Sequence, residues 1–328
     1  MDPQLLSLAC NLYSTSPDLL TPLSGGHYNA VYQFSYGEKS AILRIGVEDC
    51  PAEQTLAMLD WVRFLSDEGA PVTTPLASIN NHLMERLEYD GTRYILTSFE
   101  KASGILAEDI PPAQWIAGLF NSIGSAVGKF HRISRRYHPS APSLVRPLWF
   151  ESSEILEATR LLATSHDPAR GKLNSLINQL KPLPTDSSDF GLIHGDLHFA
   201  NFLILPDNQV AIIDFDDCVY SWFAMDVAMA LFDMLVLYNP TSEDDSQRFA
   251  HYFLTSYLSG YRQENVLPQY WLSQIPQFLK LKELCIYATL IGHADIALPD
   301  SWVGRFMRNR SERLAHDLPY VNIDYPNL

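Results

Sequence analysis

Cysteine is scarce in this chain: four in 328 residues, at positions 10, 50, 218 and 285. They form no CxxC pair and no Cys/His cluster, which argues against a zinc site and against a disulfide framework and suits a reducing compartment. No stretch approaches the roughly 20 uninterrupted apolar residues that a membrane helix requires. The first residues, Met1-Asp-Pro-Gln-Leu-Leu, lack the basic start and apolar core of a secretory signal. A cytoplasmic protein without a membrane partner is therefore expected. Positive charge is also short. The 23 Lys and Arg stand against 38 Asp and Glu, for a net charge of −15. Nucleic acid and anionic membranes call for basic patches, so neither is expected as a partner. The same charge is compatible with a cationic small molecule, although acidity serves solubility as well. Two phosphate-binding signatures are missing, GxxxxGK[ST] and GxGxxG, so neither a Walker A loop nor a Rossmann fingerprint is present.

What is present is a globular composition, 47% apolar and 19% charged, over a length that suits two lobes. The informative block is Leu192-Ile-His-Gly-Asp-Leu-His-Phe-Ala-Asn-Phe-Leu-Ile204 followed by Val210-Ala-Ile-Ile-Asp-Phe-Asp-Asp217. It reads as strand, polar loop, strand, hairpin turn at 206–209, strand and acidic loop. Asp196, Asn201 and Asp214 come in that order. Phosphoryl transfer from a nucleotide asks for a carboxylate to accept the hydroxyl proton and for two oxygen ligands to hold Mg²⁺ on the phosphates. Each residue alone is an ordinary turn former. Three apolar strands framing all of them are not explained by turns.

His194-Gly-Asp-Leu-His198, Asn201 and Ile213-Asp-Phe-Asp-Asp217 resemble the aminoglycoside phosphotransferase and choline kinase family. The resemblance implies an α+β, protein-kinase-like two-lobe fold: an antiparallel N-lobe sheet with one main helix and a larger helical C-lobe. It implies transfer of the ATP γ-phosphate to a hydroxyl of a small molecule of aminoglycoside, choline, homoserine or amino-sugar type. By resemblance Asp196 is the catalytic base, and Asn201 and Asp214 are the Mg²⁺ ligands. His194 shapes the loop, Asp226 braces it, and His131 is structural. His198, Asp216 and Asp217 are expected to serve the acceptor or the loop.

Residues 1–98 read as strands around one helix, 99–104 as a hinge and 105–328 as the helical lobe. Gly25 and Gly26 form a turn that lets backbone amides approach phosphate. Arg44, in Ile42-Leu-Arg-Ile45, stands where the resemblance requires a cation on the α and β phosphates; an exposed edge-strand Arg is the plain alternative. The helix over 55–65 departs from the family pattern, with Met58 where a Glu usually partners that cation. Glu53 is the expected substitute. Backbone groups around Ser98, Phe99 and Lys101 are expected to meet adenine. Helical periodicity follows at 115–133, 152–164, 172–180, 223–238, 248–261, 275–291 and 301–316. Trp222, Tyr252, Tyr257, Trp271, Tyr287 and Trp302 have spacings that fit core better than a cationic-ligand cage. Two other readings stay open: a protein Ser/Thr kinase on the same scaffold and a non-catalytic nucleotide-binding protein. No Ala-Pro-Glu segment follows Asp214, which favours a small acceptor.

Overall fold

A computed structural model of the chain describes residues 1–23, 29–163, 167, 169–291, 296 and 298–328. The chain opens with α1 (Pro3–Asn11). The Asp2 carboxylate accepts the Gln4 and Leu5 amides, and Pro3 takes the first helical position, where its missing N–H costs nothing. Strands β1 (Thr21–Leu23), β2 (Asn29–Tyr36) and β3 (Lys39–Val47) follow. Gly37, at φ +60, closes the β2–β3 hairpin in a conformation that favours glycine. Next come α2 (Ala52–Asp67), β4 (Pro75–Leu76), β5 (Met84–Tyr89), β6 (Thr92–Glu100), β7 (Ile105–Leu106), α3 (Ala117–Ser134), α4 (Ser153–Ala163) and α5 (Ala169–Leu180). Four short strands, β8 (Phe190–Ile193), β9 (Phe202–Ile204), β10 (Val210–Ile212) and β11 (Val219–Trp222), carry the informative block. The rest is helical: α6 (Phe223–Tyr238), α7 (Glu243–Glu264), α8 (Gln269–Leu272), α9 (Ile275–Leu290), α10 (Trp302–Met307) and α11 (Arg310–Ala315).

The chain divides into two compact units. The first comprises Met1–Ile105, Arg136–Arg146 and Leu203–Asp216. Its sheet is antiparallel in the order β1-β2-β3-β6-β4, with β5 also paired to β6. Along β3, Ala41, Leu43 and Ile45 are buried with Phe34, Leu76 and Leu96 against Ala9 and Tyr13. Side chains alternate on a strand, so Ile42 and Arg44 project from the opposite face. Helix α1 covers the first face and was not foreseen: nine residues opening on proline carry little periodic signal.

The second unit comprises Leu106–Arg135, Pro147–Phe202 and Asp217–Leu328. Its α3 and α7 meet backbone to backbone. A Cβ at Gly124 would lie 1.9 Å from the Tyr257 carbonyl oxygen, and one at Gly260 would lie 1.8 Å from that of Asn121. β8 and β11 form a two-stranded antiparallel ribbon with Ile193 opposite Val219. Helix α6 is apolar nearly all round, and its two exceptions are Asp226 and Asp233. The helix expected over 301–316 is two short ones, because Asn309 adopts the left-handed conformation at φ 55 and breaks the backbone ladder. Of the aromatics considered for a cage, Trp222, Tyr257, Trp271 and Tyr287 are core, and Tyr252 and Trp302 are exposed.

Candidate active site

In the first unit the chemistry gathers around Arg44. Strand β3 lies between β2 and β6, which removes the edge-strand reading. The guanidinium is mostly buried and pairs with Asp216; its Nη2 also lies 3.4 Å from Asp214 Oδ1. Burial alone would lower the Arg44 pKa, but Asp216 and then Asp214 outweigh it, so the charge is held more firmly than usual. Glu53, on the first turn of α2, is exposed and takes no part in these pairs. The expected partner is therefore corrected to Asp216, which is thereby committed to Arg44. Met58 is buried in α2, and Asp60 accepts from Tyr137 Oη at 2.6 Å and from the Ser140 amide at 3.0 Å.

The acidic loop is anchored to α2 in two ways. Phe215 packs edge-on against Trp61, with ring centroids 5.4 Å apart. Buried Arg146 donates to Asp216 O at 2.6 Å and to Gln54 O at 3.1 Å. Asp214 itself sits at φ +65, which Asp tolerates better than most residues. Sequence reasoning missed Arg146, which follows a proline-rich loop with no motif of its own. Gly25 and Gly26 lie outside the described residues. At the expected hinge, β6 continues to Glu100. The Lys101 amide donates to Ser40 O and the Glu100 amide to Thr74 O, so the sheet already uses both. Ser98 is opposite Leu43, so its buried side chain faces the α1 side of the sheet rather than that of Arg44. Phe99 is half-buried and pairs with Ile42 and Pro75.

In the second unit the polar loop leaves β8 and is pinned from beneath by α6. Asp226 is fully buried; its Oδ2 accepts the His194 amide at 2.9 Å, and its Oδ1 accepts the Gly195 amide at 3.0 Å. His131 Nε2 lies 3.0 Å from the same Oδ2. A carboxylate only accepts, so Nε2 carries the proton; Nδ1 then accepts from Tyr261 Oη, which in turn accepts from Asn265. Burial pushes the His131 pKa down despite Asp226, in keeping with this neutral tautomer. Two turns further along α6, Asp233 accepts the Phe199 amide at 2.8 Å, and burial pushes its pKa up to about 6. Asp233 was missed. Its signal was available as a second carboxylate seven positions after Asp226 in an otherwise apolar helix. Gly195 stands at φ +83, and a Cβ there would lie 2.4 Å from Asp217 O, so the loop closes only with glycine.

On this frame Asp196 carries a surrounded carboxylate. Its amide donates to His194 Nδ1 at 3.3 Å, and its carbonyl accepts Asn201 Nδ2 at 3.0 Å. Oδ2 lies 3.3 Å from His198 Nε2, and Oδ1 lies 3.4 Å from Lys282 Nζ. Lys282 reaches in from α9 and is held at 2.7 Å by Glu154 of α4. Burial would raise the Asp196 pKa; Lys282 first and His198 next outweigh it and hold it well below the usual carboxylate range. Burial likewise works against charge on His198 and Lys282, and their carboxylate neighbours reverse it, so both titrate above their ordinary values. Sequence reasoning found neither Lys282 nor Glu154.

Residues 19–267 match the model of the phosphotransferase enzyme family. The chain belongs to that family. It is 30% identical over 291 residues to amicoumacin kinase of Bacillus subtilis (strain 168), spanning 88% of this chain and 84% of that protein. A solved amicoumacin kinase, hAmiN in complex with AMP-PNP, Ca²⁺ and Ami, superposes with a TM-score of 0.87 at 28% identity, over 100% of this chain and 97% of that one. A microcompartment-associated aminopropanol kinase shares the fold at a TM-score of 0.67 and 22% identity, over 96% and 98% of the two chains. The phosphotransferase is accordingly a small-molecule kinase with a protein-kinase-like fold.

Each of the two expected metal ligands, taken by itself, offers an oxygen of the kind a hard cation takes. Asn201 spends its amide nitrogen on the Asp196 carbonyl, which leaves Oδ1 as the atom offered to a ligand. The Asp214 carboxylate is about half exposed beside Arg44. Oxygen donors of this kind, few in number and completed by phosphates and water, are what Mg²⁺ and Ca²⁺ take. Among the described residues no helix is long and apolar enough to cross a membrane.

Proposed function

We propose that this phosphotransferase moves the γ-phosphate of ATP, as its Mg²⁺ complex, to a hydroxyl of an amine-bearing small molecule of the amicoumacin type. The observation that carries the reading is the Asp196 carboxylate, raised on a loop whose amides are fixed by Asp226 and flanked by His198 and Lys282. Such a group takes the proton of an acceptor hydroxyl as the oxygen attacks phosphorus. The acceptor class is supported by the 30% identity to amicoumacin kinase. A small acceptor is also favoured by the short run from Asp217 through β11 to α6, which offers no platform for a peptide.

In this reading Asn201 and Asp214 hold the metal, and Arg44 binds the α or β phosphate. A divalent ion, when bound, neutralises charge on the phosphates. The first unit serves the nucleotide, with adenine at the backbone near Phe99, and the second serves the acceptor, with Asp217 and His198 near it. Four free cysteines support a cytoplasmic location in this reading.

The test is phosphorylation of amicoumacin, aminoglycosides, choline and homoserine with Mg²⁺ or Ca²⁺ present. Asp196→Asn is expected to lower kcat by about 10²–10⁴ with ATP affinity retained. Asp214→Ala and Asn201→Ala are expected to lose the metal-dependent thermal stabilisation by ATP. Full turnover by Asp196→Asn sinks the base assignment, and phosphorylation of choline but not of amicoumacin sinks the acceptor class.

A further inference from the structure

Lys282 is half-buried on α9, between Leu281 and Glu283 and followed by Leu284 and Cys285, and these four neighbours are buried. Packing alone does not ask for a lysine there. An ammonium taken out of water is unfavourable unless it is paired, and an apolar side chain of similar volume fills such a place at no loss. The pairing that Lys282 finds is specific. Its Nζ lies 2.7 Å from Glu154 Oε1 and 3.4 Å from Asp196 Oδ1. Glu154 comes from a different helix, α4. Every polar atom of Asp196 is thereby engaged: amide with His194, carbonyl with Asn201, Oδ2 with His198 and Oδ1 with Lys282.

Two partners on opposite oxygens fix the rotation of a carboxylate about its Cβ–Cγ bond. Rotation matters for a base, because the lone pair that receives the proton must face the hydroxyl. Charge matters too, since a carboxylate repels an incoming anionic phosphate and an adjacent ammonium offsets that repulsion. His198 does not substitute for Lys282, since it engages the other oxygen.

We propose that Lys282, oriented by Glu154, is a positioning residue for Asp196: it fixes the carboxylate rotamer and screens its charge from the phosphate being transferred. This rests on the reading of Asp196 as the base. Glu154 and Lys282 form one functional pair, in which Glu154 acts only through the lysine.

Two measurements test it. In the first, Lys282→Met, Lys282→Arg and Glu154→Gln are assayed with Mg²⁺-ATP and amicoumacin. Lys282→Met is expected to lower kcat about a hundredfold, the scale of misplacing a reacting group by an ångström, while both KM values stay within about twofold. Lys282→Arg should recover most of kcat, Glu154→Gln should lose less than Lys282→Met, and the double variant should be no worse than Lys282→Met alone. A kcat unchanged in Lys282→Met, or a loss that Lys282→Arg does not relieve, overturns the proposal. The second measurement needs no acceptor. Acetylation of Lys282 by acetic anhydride is followed by mass spectrometry in the wild type, Asp196→Asn and Glu154→Gln. Removing either carboxylate is expected to raise labelling several-fold. Equal labelling in wild type and Asp196→Asn overturns the contact whatever the acceptor proves to be. If the wild type phosphorylates neither amicoumacin nor any other acceptor offered, the acceptor reading fails by itself and the labelling still decides for or against Lys282.

Discussion

Replacing Asp226 by Asn removes one charge and changes almost no volume, so its effect reads the loop brace directly. Asp226 accepts three hydrogen bonds with two oxygens: His131 Nε2 and the His194 amide on Oδ2, and the Gly195 amide on Oδ1. An amide has one oxygen. Turned toward His131 and His194, it sets its NH₂ against the Gly195 N–H; turned the other way, it loses two bonds. The better orientation forfeits a bond to a charged group, about 1.5–3 kcal/mol, and leaves buried donors facing each other, about 1–3 kcal/mol more. The sum is about 2.5–6 kcal/mol. With a urea slope of about 3 kcal/mol/M, the midpoint should fall by roughly 0.8–2 M. Tryptophan fluorescence is a suitable probe: Trp61 is in the first unit, whereas Trp115, Trp149, Trp222, Trp271 and Trp302 report the second. Activity should fall in step, because Asp196 follows the pinned amides directly. A midpoint within about 0.2 M of wild type at unchanged slope would refute the brace.

Arg44→Met should raise the Kd of a fluorescent ATP analogue about tenfold or more, and Arg44→Lys should recover only part, because an ammonium does not form the bidentate fork; an unchanged Kd removes Arg44 from the phosphates. Stability should depend on pH through His131, whose pKa is lowered by burial in the folded state. The unfolded state takes up the proton as pH falls below about 6.5 and the folded state does not, so stability should drop in that window by up to about 1.4 kcal/mol per pH unit. His131→Gln should flatten this slope, and a slope identical to wild type counts against a neutral His131. Gly195→Ala combines a left-handed backbone with a Cβ 2.4 Å from Asp217 O; a loss of about 2 kcal/mol or more, with activity abolished, is expected in denaturation and turnover assays, and a fully active, stable variant would refute the packing.

The make-up of the polar loop was legible because its parts are local. His194, Asp196 and Asn201 fall within one short loop, and Asp214 follows through a single hairpin, so the type and order of the side chains survive in the sequence. The long helices were legible for a related reason: α3, α6 and α9 bury one face or nearly all of their surface, and burial imprints apolar spacing. Helix ends and short helices carry less of that imprint. Asn309 therefore broke a segment that the pattern alone joined, and α1 passed unseen.

The tertiary structure decided the partners. Lys282 lies 86 positions after Asp196, Asp216 lies 172 after Arg44, and Arg146 reaches Asp216 across 70. Pairs this distant leave no periodic trace, because nothing in a linear sequence tells which carboxylate a given cation will meet. Glu53 was the nearest candidate for Arg44 on its helix, but the loop anchored by Phe215 and Arg146 brought Asp216 there instead. The sequence by itself thus determined which side chains the loop carries, in what order, and the family to which the chain belongs. Folding determined which charges stand beside Asp196 and Arg44, since ion pairing at a few ångströms depends on three-dimensional packing and not on position along the chain.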